Sequence, residues 1–195
     1  SKDSEMGKNE EDLDNSYLVL SDAQQDIVKK NNAFALRLFN KVTDMESKVI
    51  SPMSVSYLMG MLANGADGIT QQEILKAIGC EGVSVNDLNE LYKAMLLTAN
   101  KQDKQTTVNI ANYIAVNKNF QLNKNFSQQV SDGYQAGIES LDFTSSKSTD
   151  RINGWCKEKT NGMIPRIIDQ VSADAVSYLM NAIYFKGTWQ NKFNA

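Results

Sequence analysis

The side chains that most often carry catalysis are scarce in this sequence. It has no histidine, which excludes Ser-His-Asp and Cys-His catalysis within the chain and removes the commonest zinc ligand. Its two cysteines, Cys80 and Cys156, are too few for a four-thiolate site; they form either a disulfide or, as the favoured interpretation, two buried free thiols. No glycine-rich motif suited to cradling a phosphate occurs. The sequence therefore predicts neither an enzyme nor a site for a metal or cofactor.

The distribution of charge and hydropathy argues against two further classes of protein. The net charge is −3, and residues 1–14 hold six acidic residues and two lysines, so the remainder is close to neutral. A nucleic-acid-binding protein would instead need a concentrated basic face. No apolar run reaches the roughly 18 residues that a membrane-spanning helix requires. Residues 1–20 are expected to be a flexible acidic leader, either a disordered terminus or a surface tether.

One asparagine stands inside the most apolar segment of the chain, residues 175–193. Read with a period of two, both faces of this segment are mostly apolar, which is the pattern of a central strand covered on both sides. Asn181 interrupts the pattern, and a buried amide without hydrogen bonds would destabilise the fold by roughly 1–3 kcal/mol. Asn181 therefore predicts a polar partner network in the core. Because this strand ends at Lys186 and Gly187, near the last residue, we expect the domain to continue beyond the chain.

The elements that must position this strand are predicted from periodicity and capping signals. Ser21 with Gln24, and Thr70 with Glu73, have the spacing of capping boxes that begin helices. Ser51 suits the N-cap of a helix that starts with proline. Helical spacing predicts helices over about 22–41, 52–63, 70–78, 86–99, 123–132 and 148–160, and alternation predicts strands over 49–50, 108–116, 138–143 and 175–187. Helices followed by strands with short helices between them predict the α+β class.

Six short segments, in order along the chain, resemble motifs of the serpin family, the serine protease inhibitors. They are ISPMSV at 50–55 (family FSPxSI), LANGADGIT at 62–70 (LGAxGxT), ANYIAV at 111–116 (ANxIFV), LDF at 141–143 (VDF), TNGMI at 160–164 (TNGKI) and NAIYFKGTW at 181–189 (NAIYFKGxW). Each is weak alone, but six in the right order are highly specific. There are two departures, since Ser47 stands where many members have asparagine and Met163 replaces a frequent lysine.

The resemblance implies a fold in which N-terminal helices pack against a large, mostly antiparallel sheet, sheet A, which is incomplete in this chain. Residues 21–195 would form the N-terminal half of a single serpin domain. In serpins the target protease cleaves an exposed reactive loop, is trapped as a covalent acyl-enzyme, and the loop inserts into the sheet as a new strand. Ser51, Ser54 and Asn181 match the shutter, where the sheet parts, and Trp189 matches the breach, where the loop enters. Helix capping and core packing are the alternative roles of the three shutter residues.

The function that the resemblance implies is inhibition of a serine protease, with cysteine proteases as a second target class, through a reactive loop that this chain lacks. The C-terminal half of the same serpin would be a necessary partner. The alternatives are a non-inhibitory serpin that acts as a carrier, chaperone or storage protein, and a truncated inactive fragment. No polyanion site is expected, because Lys93 is the only cation of the helix over 86–99. The family implies secretion to an extracellular location, and residues 125–127 form a glycosylation sequon.

Overall fold

A computed structural model describes residues 18–42, 49–99 and 106–189 of the chain. The order of its elements, with helices first and then strands separated by helices, confirms the predicted α+β class. The elements are α1 (Asp22–Val42), α2 (Pro52–Asn64), α3 (Gly68–Ala77), α4 (Val85–Ala99), β1 (Thr106–Asn117), α5 (Lys124–Tyr134), β2 (Gly137–Leu141), α6 (Ser146–Lys159) and β3 (Ser177–Gly187). Most of the predicted leader, residues 1–17, and Ser47 lie outside the described residues.

Capping side chains set where the first helices begin. At α1 the Ser21 amide donates to Gln24 Oε1 (3.1 Å) and the Gln24 amide donates to Ser21 Oγ (3.2 Å), which confirms that capping box. At α2 the N-cap is Ser51, as predicted. The capping box predicted at Thr70 is wrong, because α3 begins at Gly68. Asp67 caps it by accepting the Gly68 amide (2.7 Å), and Gly68 adopts the positive φ of 56° that this start requires.

The sheet has the strand order β2-β1-β3. Strands β1 and β3 are antiparallel, with 106–116 paired to 187–177, whereas β1 and β2 are parallel, with 113–117 paired to 137–141. Within the described residues β3 pairs with β1 alone, so β1 and not β3 is the middle strand of this part of the sheet. Apolar residues on both faces of β3 indicate that other elements pack above and below the strand. They do not indicate how many strands lie beside it in the sheet. The predicted strand at 49–50 does not form, and Val49 is fully exposed.

Each face of the sheet carries its own hydrophobic core. Helices α1 to α5 cover one face, where β1 contributes Ile110, Ile114 and Val116, and β3 contributes Leu179 and Ile183. Helix α6 covers the other face, where its buried side chains Ile152, Trp155 and Cys156 meet Tyr113, Ala115, Met180 and Ala182 of the two strands. Both faces of β3 therefore contact a core over residues 178–183, as its apolar pattern predicts, whereas residues 185–187 are exposed.

Both cysteines are buried free thiols, which confirms the favoured interpretation. Cys80 lies in the core beneath α1 to α5 and Cys156 in the core beneath α6. Burial raises the pKa of each thiol, so both are held in the protonated form. Among the helices that the structure describes, none is long and apolar enough to cross a membrane.

Candidate functional site

Asn181 lies directly opposite Asn112 across the β1–β3 pairing, and both side chains point to the face covered by α1 to α5. Asn181 Nδ2 donates to Asn112 Oδ1 (2.8 Å), and Asn112 Nδ2 donates to the carbonyl oxygen of Tyr134 (2.8 Å). Asn112 is 3% exposed. These three groups form an amide relay that runs from the C-terminal end of α5 across β1 to the middle of β3. The polar partner that Asn181 predicted is thus Asn112.

The outer end of the amide relay has spare hydrogen-bonding capacity. Asn181 Oδ1 is buried and has no hydrogen-bond partner; within the described part of the chain it shares this property with the Tyr57 hydroxyl alone. A buried acceptor left unpaired costs about 1–3 kcal/mol. Because Asn181 Nδ2 donates to Asn112, the orientation of the Asn181 carboxamide is fixed, and its oxygen remains an open acceptor. Asn181 Oδ1 can therefore accept a hydrogen bond from a further donor and lose it again. The amide relay itself contains no nucleophile paired with a base.

The inner end of the relay is fixed by a cluster of tyrosines between α2, α4 and α5. The rings of Tyr57, Tyr92 and Tyr134 pack edge to face with centroids 5.0–6.3 Å apart. The Tyr134 hydroxyl donates to Asn89 Oδ1 (2.8 Å), and burial raises its pKa, so it remains a donor. A Cβ at Gly60 would overlap this hydroxyl, which explains the glycine. The cluster holds Tyr134 in place, and with it the carbonyl that anchors Asn112.

Ser51 and Ser54 form a second polar group at the start of α2. Ser51 Oγ accepts from the Ser54 amide (3.2 Å) and from Ser54 Oγ (2.9 Å). Over residues 49–99 and 106–189, no hydrogen bond joins this pair to Asn181. The structure therefore gives Ser51 the capping role predicted as an alternative, and the three residues predicted for the shutter belong to two separate groups among the described residues.

Trp189 lies two residues beyond the end of β3, with 70% of its surface exposed. Phe185, near the same end of the strand, is 67% exposed. Large exposed apolar side chains at one end of a sheet mark a surface that another segment or protein can cover.

One residue of the site, Asn112, was missed by the sequence analysis. It carries the same signal as Asn181, since it is an amide between the apolar residues of a buried strand. Asn109 and the polar loop before it made Asn112 look like one more polar residue at the start of the strand. What the sequence does not contain is the register that places the two asparagines opposite each other.

The opposite face of the sheet carries an ionic cluster that fastens α6. Glu139 of β2 accepts from the Tyr113 hydroxyl (2.8 Å) and pairs with Arg151 Nη2 (2.8 Å). The Arg151 guanidinium lies over the Tyr113 ring, 5.7 Å from its centroid, and Trp155 stacks on the same ring (5.1 Å, 19° between planes). We name these four residues the α6 clamp, because they join the helix to both β1 and β2.

Comparison with known proteins places these features in a family. Residues 29–195 match the family described as "Serpin (serine protease inhibitor)". Serine protease inhibitor 42Dd of Drosophila melanogaster is 32% identical over 81% of this chain and 43% of its own length. Leukocyte elastase inhibitor of Xenopus laevis is 34% identical over 83% of this chain and 45% of its own length. The chain thus spans about half the length of the curated relatives it matches.

Solved structures give the same assignment. The thermophilic serpin Tengpin in its latent state superposes with a TM-score of 0.83 at 31% identity, over 91% of this chain and 47% of Tengpin. A serpin from a loop C-sheet polymer superposes with a TM-score of 0.82 at 32% identity, over 91% of this chain and 46% of its own. Because the family match extends over residues 29–195 and these structures superpose on about nine-tenths of the chain, this chain belongs to the serpin family.

Proposed function

We propose that this chain is the N-terminal half of a serine-type protease inhibitor that acts by reactive-loop cleavage, covalent trapping of the protease and insertion of the loop beside β3. Relatives about 30% identical are named as inhibitors, and family members are mostly inhibitors rather than enzymes. One observation carries the proposal. Within the described residues β3 pairs along one edge only, and at its middle Asn181 holds a buried acceptor without a donor. Strand addition requires a free edge.

This arrangement supports a shutter role for Asn181. We assign Asn181, through Asn112, to hold β3 against β1 while its oxygen pairs with a donor from the C-terminal half. A polar contact can re-pair when the sheet opens, whereas an apolar contact would have to be reformed by repacking. Ser51 and Ser54 lie at the start of α2, which packs against β3, and we assign them to the shutter as the support of that helix. Trp189 is assigned to the breach because its exposed indole adjoins the end of β3.

The partners and the location of the inhibitor belong to the same proposal. The target is a serine or cysteine protease, and the C-terminal half of the serpin supplies the reactive loop. We place the protein outside the cell as a secreted inhibitor. Asn125, in the sequon, is exposed at the start of α5, where a glycan would extend into solvent.

The test uses this chain together with its C-terminal half and a panel of serine proteases of different specificity. We expect at least one protease to form a complex with the protein that resists denaturant on a gel. Cleavage of the loop by every protease, without any stable complex, would exclude inhibition.

The shutter assignment has its own matched pair of variants. Asn181→Ala should promote polymers on heating, because it releases β3 from the relay. Asn109→Ala is the control, since Asn109 is also an amide of this sheet but bonds Lys159 O (3.0 Å) on the α6 face. Equal polymer formation by the two variants would contradict the assignment.

A non-inhibitory carrier is the second candidate. Thyroxine-binding globulin, solved in complex with thyroxine, superposes with a TM-score of 0.75 at 25% identity. In the same gel assay a carrier would be cleaved without trapping the protease, and the cleaved protein would need a separate ligand screen.

A further inference from the structure

Three Asn-Gly pairs occur in the described chain, at 64–65, 153–154 and 161–162. This dipeptide is prone to spontaneous deamidation. The glycine nitrogen attacks the asparagine side-chain carbonyl, ammonia leaves, and a five-membered succinimide forms. Water then opens the ring at either carbonyl, giving aspartate or isoaspartate. Glycine permits the attack because it has no Cβ to obstruct the approach, and asparagine is for this reason among the thermolabile residues.

The first pair is protected by helix and side-chain hydrogen bonds. Asn64 Nδ2 donates to Gly60 O (2.8 Å) and to Asn89 Oδ1 (2.8 Å), and Asn64 Oδ1 accepts from Asn89 Nδ2 (2.8 Å). The side chain is half-buried between α2 and α4. Attack on its carbonyl carbon would require both bonds to Asn89 to break.

The second pair is protected inside α6. Asn153 Oδ1 accepts from the amides of Ile167 (2.8 Å) and Ile168 (3.1 Å), and its Nδ2 donates to Ile168 O (2.9 Å). The carboxamide of Asn153 therefore acts as the backbone partner of the segment that follows α6. Its neighbour Gly154 lies within the helix, where the nitrogen is held in the helical conformation.

The third pair has no such protection. Asn161 is exposed in the turn after α6, in the left-handed conformation (φ 49°), and within residues 106–189 its side chain makes no hydrogen bond. The Gly162 amide donates to Lys157 O (2.7 Å), a bond at the very end of the helix. Such terminal bonds open far more readily than bonds inside a helix. We propose that Asn161 is a site of spontaneous deamidation in the native protein, and that Asn64 and Asn153 are not.

The reaction would change the turn that leads from α6 to the segment bound by Asn153. Either product adds a negative charge at the C-terminal end of α6, where the helix dipole is also negative. Isoaspartate additionally lengthens the main chain by one carbon, which the hydrogen bond from Gly162 to Lys157 cannot accommodate without shifting. As the protein ages, deamidation would therefore add negative charge at the end of α6 and change the geometry of the turn at residues 161–162.

The test incubates the native protein in mildly alkaline buffer and follows all three sites by peptide mapping with mass spectrometry. We expect Asn161 to convert more than about tenfold faster than Asn64 or Asn153. Attack by the Gly162 nitrogen requires only that the end of α6 frays, whereas the other two sites must also break side-chain hydrogen bonds. In concentrated urea the three sites should convert at similar rates, which shows that the selectivity comes from the fold. The Asn161→Gln variant should abolish conversion at this site, because glutamine cannot form the five-membered ring.

Two outcomes would overturn the proposal. One is conversion of Asn64 or Asn153 in the native protein at a rate equal to that of Asn161. The other is an Asn161 that converts in urea but not in the native protein, which would mean that the terminal bond of Gly162 does not open.

Discussion

Replacing Asn112 with alanine tests the amide relay most directly. Asn112 is the middle member, and its carboxamide makes the two 2.8 Å bonds that connect Tyr134 to Asn181. The change removes no charge and leaves the backbone pairing of β1 and β3 intact. Any loss of stability therefore reports on the two side-chain hydrogen bonds and on the small void that alanine leaves.

The magnitude follows from the atoms that lose their partners. Asn112→Ala leaves the Tyr134 carbonyl and Asn181 Nδ2 without these bonds, and at about 1–3 kcal/mol for each buried orphan the loss should be about 2–6 kcal/mol. Asn181→Ala leaves one such atom, Asn112 Oδ1, and also removes an oxygen that is already unpaired, so it should cost only about 1–2 kcal/mol. Asn112, which the sequence analysis missed, should therefore contribute more to the stability of this chain than Asn181, which it predicted.

The assay is urea unfolding followed by circular dichroism, with the two single variants, the double variant and Asn109→Ala as a control on the other face. The slope against urea should stay constant, so that midpoints report stability. The double variant should lose less than the sum of the singles by about 0.5–3 kcal/mol, as expected for residues in contact. An Asn181→Ala variant that is destabilised as much as Asn112→Ala, or strict additivity, would refute the relay.

Three further predictions concern other contacts. Glu139→Gln should lower the unfolding free energy by no more than about 1 kcal/mol in urea, because its pair with Arg151 is more than a third exposed; a larger loss would mean that the α6 clamp is more than a surface contact. Hydrogen bonds from Lys118 and Thr144 lower the pKa of Asp142 to about 2, so its contribution to stability is present above its ordinary pKa of 3.8 and is lost as the pH falls toward 2. Asp142→Asn should flatten that part of the acid unfolding curve, and an unchanged curve would contradict it. Ser51→Ala should cost about 1 kcal/mol as the loss of an N-cap, and Ser51→Gly only a few tenths, so equal losses would argue against capping.

Local signals in the sequence predicted most of the secondary structure. The capping box at Ser21 and the serine-proline start at Ser51 needed only neighbouring residues, and both are present. The predicted start of α3 was wrong because two residues that can cap a helix, Asp67 and Thr70, lie within four positions of each other. Asp67, followed by a glycine free to adopt a positive φ, begins the helix before Thr70 is reached.

Long-range pairing was the part that the sequence could not supply. The apolar pattern of β3 predicted a buried Asn181, and the structure gives a half-buried side chain whose Oδ1 alone is shown to be buried. No local pattern tells which strand lies beside it or which residue lies opposite. Asn112 and Asn181 are 69 residues apart, so their contact depends on register alone. The division of the residues predicted for the shutter into a serine pair and an amide relay likewise depends on how α2 packs on the sheet.

The lengths of the two strand seams have a mechanical consequence. β1 and β3 are joined along the whole of β3, from Ser177 to Gly187, whereas β2 is joined to β1 only over 113–117. Under a sideways load the longer antiparallel seam shares the force among about twice as many backbone bonds, and parallel pairing is slightly weaker per residue. Strands β1 and β3 should therefore move together as one rigid unit, and β2 should be the first strand to separate from the sheet.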